Sequence, residues 1–153
     1  MHHCLAAFAL SLQETVFGDK KAQLVVMKVR CEHNSIRLRL RKSELAQLRA
    51  EGWLETSVRF PDGRLFAWEL ALCPSCAEVE AHFQDGRLSV RIPSAQAQHW
   101  MDSNAVGIEQ FISLPDDGTL HVLVEKDFPC KDRPDEDSTD FFGELAEEAP
   151  LKC

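Results

Sequence analysis

Three groups of residues in this 153-residue chain have the types and spacing that chemistry needs. The first is Cys73-Pro74-Ser75-Cys76, whose C-x-x-C spacing suits thiol–disulfide exchange or one half of a zinc site. Redox use in the thioredoxin manner needs the first cysteine at a helix N-terminus, whereas the AEVEAHF that follows alternates like a strand. Zinc needs further ligands, and His82, Cys31 or Cys130 could join only through the fold. The plainer account is two thiols in a linker.

The second group is Glu78, Glu80 and His82, which strand periodicity puts on one face, a spacing that could hold a divalent ion or serve as acid and base. The third is the row Arg37, Arg39 and Arg41 in NSIRLRLRKSEL, with Lys28 and Arg30 expected on a neighbouring strand. Such a strip suits phosphate. Glu69, Glu78, Glu80, Glu109 and Glu125 occupy the polar sides of other strands, so cross-strand ion pairing on a solvated face is the simpler account. No aromatic interleaves the arginines to stack on bases. Six histidines are scattered without a Ser-His-Asp or Cys-His constellation.

The elements that position these groups follow from periodicity. SIRLRL sets Ile36, Leu38 and Leu40 on one face of a strand, and KSELAQLRAEG places Leu45 and Leu48 at helical spacing, with Ser43 as cap and Gly52 just past the end. LETSVRF, the turn PDG and RLFAWELAL read as a hairpin. The same grammar returns in GRLSVRIPSAQAQHW: Leu88, Val90 and Ile92 stand for Ile36, Leu38 and Leu40, Arg91 stands for Arg39, and Ala97 and Trp100 stand for Leu45 and Leu48. AVGIEQFISL, the turn PDDG and TLHVLVE complete the echo, matching Leu120 to Leu65.

KVRC before EHNS and EVEAHF before QDG add a strand in front of each copy. The chain therefore reads as mainly β with two short helices (α+β): two fused ββαββ repeats with about eight short strands, forming a pseudo-twofold partly closed barrel or interlocked sheets. The repeats span 27–71 and 78–126 within one domain, 27–130, joined by the CPSC linker. Residues 1–26 read as an appendage, with a start assigned too far upstream as one account and a strand already running at Leu24 as the other. Residues 131–153 read as a flexible acidic tail in which Phe141 and Phe142 could dock on the body or on a partner. Glu125, Lys126 and Asp127 in VEKDFPC read as the charges of an edge strand, with Phe128 packing.

Composition bounds the rest. A net charge of −8 excludes a surface wholly devoted to nucleic acid or anionic membrane, although residues 27–53 are basic and 125–153 acidic. The N-terminal apolar run has no preceding Lys or Arg and is too short to span a bilayer, so the expectation is a cytoplasmic chain with mostly reduced thiols and no membrane contact.

MKVRCEHNSIRLRLRKSEL, GRLSVRIPSAQAQHWMDSNAVGIE and LHVLVEKDFPCKDRPDED, from Met27 to about Phe142, resemble a family of small bacterial proteins classed as a domain of unknown function, VEKDFPC being the most distinctive part. The resemblance implies one compact β-rich unit and carries over no activity, cofactor or site. Residues 1–26 and the 73/76 cysteine pair fall outside that pattern. HNSIRLRLRKSEL and DGRLSVRIPSAQA, with the closing PDGRLFAWEL and DDGTLHVLVE, are also similar to AbrB/MazE-type swapped-hairpin modules, in which two chains interlock and basic residues near the first hairpin grip DNA. Here both copies lie in one chain, and the second keeps only Arg87 and Arg91.

The functional expectation is a non-catalytic binding or regulatory module, with a protein or an acidic ligand as partner and no cofactor. The alternatives are nucleic-acid contact through the first hairpin, using Arg37, Arg39, Arg41 and Arg91, and a barrel enzyme acting on a phosphate compound with a divalent metal. Cys73 and Cys76 are the weak zinc candidates; Glu78, Glu80 and His82 are weaker ones.

Overall fold

The computed structural model describes residues 27–129 and 138–146. Eight strands and two helices follow one another as β1 (Lys28–Glu32), β2 (Ser35–Leu40), α1 (Lys42–Glu51), β3 (Trp53–Arg59), β4 (Leu65–Cys73), β5 (Glu80–Gln84), β6 (Arg87–Pro93), α2 (Ser94–Asp102), β7 (Gly107–Ser113) and β8 (Thr119–Lys126). The order ββαββ thus occurs twice.

The strands form two separate four-stranded sheets, β1-β2-β8-β7 and β3-β4-β6-β5, so of the two expected arrangements the interlocked one is present and no barrel closes. Each sheet joins the first hairpin of one ββαββ unit to the second hairpin of the other. Inside a hairpin the strands are antiparallel, and where hairpins meet they are parallel: β2 beside β8, and β4 beside β6. A tight turn cannot connect parallel neighbours. The helices therefore carry the chain from one sheet to the other.

Local sequence explains the corners. His33 and Asn34, and Asp85 and Gly86, all take positive φ, the conformation of two-residue hairpin turns whose twist matches the strands. At Gly86 a Cβ would stand 2.6 Å from the Leu65 carbonyl oxygen, so close backbone approach as well as φ selects glycine. The two sheets use the same contact at this corner: Ala67 N–H donates to Gly86 O at 2.9 Å, and His121 N–H donates to Asn34 O at 3.1 Å.

Asp117, with φ of 61°, takes the left-handed place that Gly63 fills in the other hairpin, because Leu114 N–H reaches Gly118 O as Phe60 N–H reaches Arg64 O. That register sets Leu120 against Phe66 rather than Leu65. The expected match is off by one because Asp117, and not the following Gly118, makes the left-handed turn.

The apolar faces of both sheets share one core that includes Leu38, Leu40, Leu70, Val90, Ile92, Val122 and Val124. Trp68 crosses it, its indole N–H donating to Met27 O at 2.8 Å. Helix α1 closes one part with Leu45 and Leu48, and α2 another with Ala97, Trp100 and Met101. Gly52, at φ of 80°, ends α1 by donating to Leu48 O. Ser43 does not cap α1: the cap position is Arg41, whose N–H donates to Glu44 Oε2 at 2.9 Å.

Two further expectations change. β8 is an interior strand, not an edge, and Lys126 and Asp127 at its end are 3% and 1% exposed. Residues 138–146, assigned in the sequence to an acidic tail, are packed on the body: Phe141, Phe142 and Leu145 are buried. Residues 1–26, Cys130 and the remainder of the tail lie outside the described residues.

Candidate functional site

At the ends of β2 and β8 the body presents a shelf of cations. Lys28 stands at the start of β1, Arg41 and Lys42 at the start of α1, and Lys126 at the end of β8, because the parallel pairing of Leu40 with Lys126 brings those chain ends together. The segment 138–146, two single 3-10 turns, lies on this shelf. Phe141 has the Arg41 guanidinium 4.8 Å and the Lys28 ammonium 5.1 Å from its ring centre. Phe142 has Lys126 at 5.5 Å and Lys42 at 5.6 Å. A ring's negative face attracts cations in this range.

Carboxylates complete the arrangement. Asp140 receives the Ser43 backbone N–H at 2.8 Å and its hydroxyl at 2.6 Å, which puts a negative charge at the N-terminal end of α1. Glu144 meets Lys42 at 3.0 Å, and the hydrogen bond from its own backbone N–H, then Lys42, holds its carboxyl below the ordinary glutamate value. Asp127 pairs with Lys28 at 2.9 Å, while its backbone donates to Leu40 O and accepts from Phe142 N–H. Burial pushes the Lys126 ammonium down, against the nearby Glu144, and Lys126 donates to Ser103 O at 2.6 Å.

The arginine row divides. Arg39 Nε reaches Glu125 Oε1 at 2.8 Å, and Arg37 Nε lies 3.5 Å from the same oxygen, on the outer face of the first sheet. Arg41 belongs to the shelf. On the outer face of the second sheet Arg87 pairs with Glu55 and with Glu69, and the hydrogen bond it donates to Glu55 holds its guanidinium above the usual value. Arg91 is exposed there, opposite Glu80 in the ladder. Grooves run along both first hairpins at matching places, each with one acid among its bases: Arg30, Glu32, Arg37 and His121 line one, and His82, Asp85, Arg87 and Arg91 the other.

Glu78 precedes β5 and so does not share a strand face with Glu80 and His82, whose side chains approach to 3.4 Å. No group of three potential metal-ligating side chains occurs among the described residues. Cys73 and Cys76 are joined in a disulfide with Cα atoms 5.4 Å apart. The expectation of reduced thiols does not hold for this pair, and in the bonded form it offers no thiolate to zinc. Cys31 is a free, exposed thiol. No helix among the described residues is long and apolar enough to cross a membrane.

Sequence reasoning did not find the shelf. Its cations are spread over 28, 41, 42 and 126, and only the pairing of β2 with β8 gathers them. A signal did exist in Phe141-Phe142 within an acidic stretch.

Fold and site together define a class: a mainly β protein of two interlocked ββαββ units in one chain, with a cationic shelf holding an acidic, aromatic segment. The chain belongs to DUF7009, a family of unknown function, whose sequence model matches residues 27–145 and so includes the segment on the shelf. Among curated proteins none matches the chain.

Proposed function

We propose that this chain is a non-catalytic, cytoplasmic binding module whose site is the α1 shelf, and that its ligand is a peptide segment carrying a carboxylate followed by two aromatics. Asp140-Phe141-Phe142 is the resident copy of that ligand and regulates access. The reading rests on one observation: each ring of the segment has two cations over it while its aspartate sits on the first turn of α1.

The energetics support exchange. Burying Phe141, Phe142 and Leu145 stabilises docking by about 4.5–9 kcal/mol at roughly 1.5–3 per side chain. The two hydrogen bonds to Asp140, acting as a helix cap, add about 1–2 kcal/mol, and four cation–ring contacts about 2–4. Ordering nine residues costs about 9–18 kcal/mol. The terms nearly cancel, so a segment held this way gives up its place to a competitor.

The test uses the full chain with Asp140→Ala, Phe141→Ala and Phe142→Ala, and a dye-labelled peptide of sequence STDFFGELA followed by fluorescence anisotropy. Saturable binding that weakens at least tenfold on adding Arg41→Gln and Lys42→Gln is expected. Binding indifferent to those two changes, or none at millimolar protein, overturns the proposal.

The matched grooves on the outer sheet faces favour a second reading, in which polyanions such as nucleic acid lie along the first hairpins through Arg37 and Arg91, with Arg39 beside Arg37 on its strand. It predicts salt-dependent retention on DNA that Arg37→Ala with Arg39→Ala abolishes. Equal retention of that variant rules it out.

A further inference from the structure

The Cys73–Cys76 bond lies in the turn that joins the two ββαββ units, between the end of β4 and the start of β5. It contributes little to holding those ends. β4 is already fixed by seven Cα pairs to β6, from Ala67 with Arg87 to Cys73 with Pro93, and by seven more to β3. A cross-link between residues three apart also closes the smallest of loops, where the loss of unfolded-chain entropy is least. Both residues are partly exposed, and Pro74 and Ser75 between them are exposed.

The surroundings of Cys73 favour a thiolate. Its ladder partner Pro93 is the residue from which α2 starts, and α2 has no side-chain cap and no acid in its first turn, so its own residues do not offset the positive end of the helix. The Ser75 hydroxyl lies 3.7 Å from Cys73 Sγ, close enough to donate to it. The helix start and the Ser75 hydroxyl both stabilise negative charge on Cys73 Sγ as it departs.

We infer that Cys73–Cys76 is a reversible thiol–disulfide exchange site whose substrate class is cellular dithiols. One thiolate of the dithiol attacks Cys76 Sγ; the Cys76–Cys73 bond breaks, and Cys73 leaves as thiolate. The second thiol of the reductant then attacks its own sulfur in the mixed disulfide, releasing Cys76. The dithiol becomes a disulfide, and the pair gains two electrons and two protons. The helix-start placement expected of thioredoxin-like sites is replaced here by a turn beside a helix start. This inference is independent of the shelf.

The experiment exposes the native full chain to low-millimolar dithiothreitol, then counts alkylated cysteines by mass spectrometry with Cys31 as internal control. Complete reduction of the 73/76 pair is expected, restored by oxidised dithiothreitol, with a shift in melting temperature of no more than a few degrees. At pH 7 Cys73 in the Cys76→Ser chain should be alkylated faster than Cys76 in the Cys73→Ser chain. Three outcomes overturn the inference: a bond that resists reduction until the protein unfolds, reduction that lowers the melting temperature by more than about ten degrees, or a Cys73 that is alkylated no faster than Cys76 in that comparison.

Discussion

The carboxylate of Asp140 accepts both polar hydrogens of Ser43, the backbone N–H at 2.8 Å and the hydroxyl at 2.6 Å, although 97 residues separate them. This relationship ties the C-terminal segment to the first turn of α1. It does what a helix cap does, from elsewhere in the chain.

Asp140→Ala removes both bonds and leaves the Ser43 N–H without a carboxylate partner. A loss of about 1–2 kcal/mol in segment docking is expected. Hydrogen exchange at the Phe142 amide, which donates to Asp127 O, reads it directly. Exchange there should accelerate about five- to thirty-fold with the interior amides of β8 unchanged; unchanged exchange at Phe142 refutes the cap.

Gly86→Ala tests the corner of the second sheet. The new methyl meets the Leu65 carbonyl at 2.6 Å in a residue whose φ is 76°. The left-handed conformation alone costs a non-glycine residue about 1–2 kcal/mol, and the clash adds to it. The urea midpoint should fall, whereas Gly63→Ala, with no atom within 4 Å of its added methyl, should show the φ cost only.

Glu125→Ala releases Arg37 and Arg39 from their shared oxygen. The pairs are partly solvated, with side chains 33% and 23% exposed against 12% for Glu125, so stability should change by no more than about 1 kcal/mol. Elution from heparin should move to higher salt if the first hairpin is a polyanion surface, and stay in place if the arginines serve the sheet alone.

The depressed ammonium of Lys126 makes a pH prediction. Its folded value lies below the unfolded one because burial disfavours the charge. Between the folded value and roughly 10.4, the unfolded chain binds more protons, so this residue's contribution raises stability as pH increases. Urea unfolding from pH 8 to pH 10 should show that rise relative to Lys126→Met; parallel profiles contradict it.

The strands, both helices and the doubled order were legible because alternation and helical spacing are local properties. Leu38, Leu40, Val90 and Ile92 announce their burial by type and period. Asp127 does not: a charged residue after a strand reads as solvent-facing, and its burial depends on Lys28 from β1 and Phe142 from the segment. The interior place of β8 was equally hidden, since parallel pairing with β2 spans more than eighty residues and leaves no mark in either strand. Arg41 continues the period of Arg37 and Arg39, yet the end of β2 hands it to the shelf.

The central claim is that the shelf exchanges its own segment for another of like chemistry, and a titration of the isotope-labelled wild-type chain with unlabelled STDFFGELA, followed by amide NMR, tests it most directly. The account predicts that the signals of 138–146 move together toward the positions they take in the Asp140→Ala, Phe141→Ala, Phe142→Ala chain, while those of Lys28 and of Arg41 to Ser43 stay at their bound positions. Signals of 138–146 that remain in place at saturating peptide would contradict it.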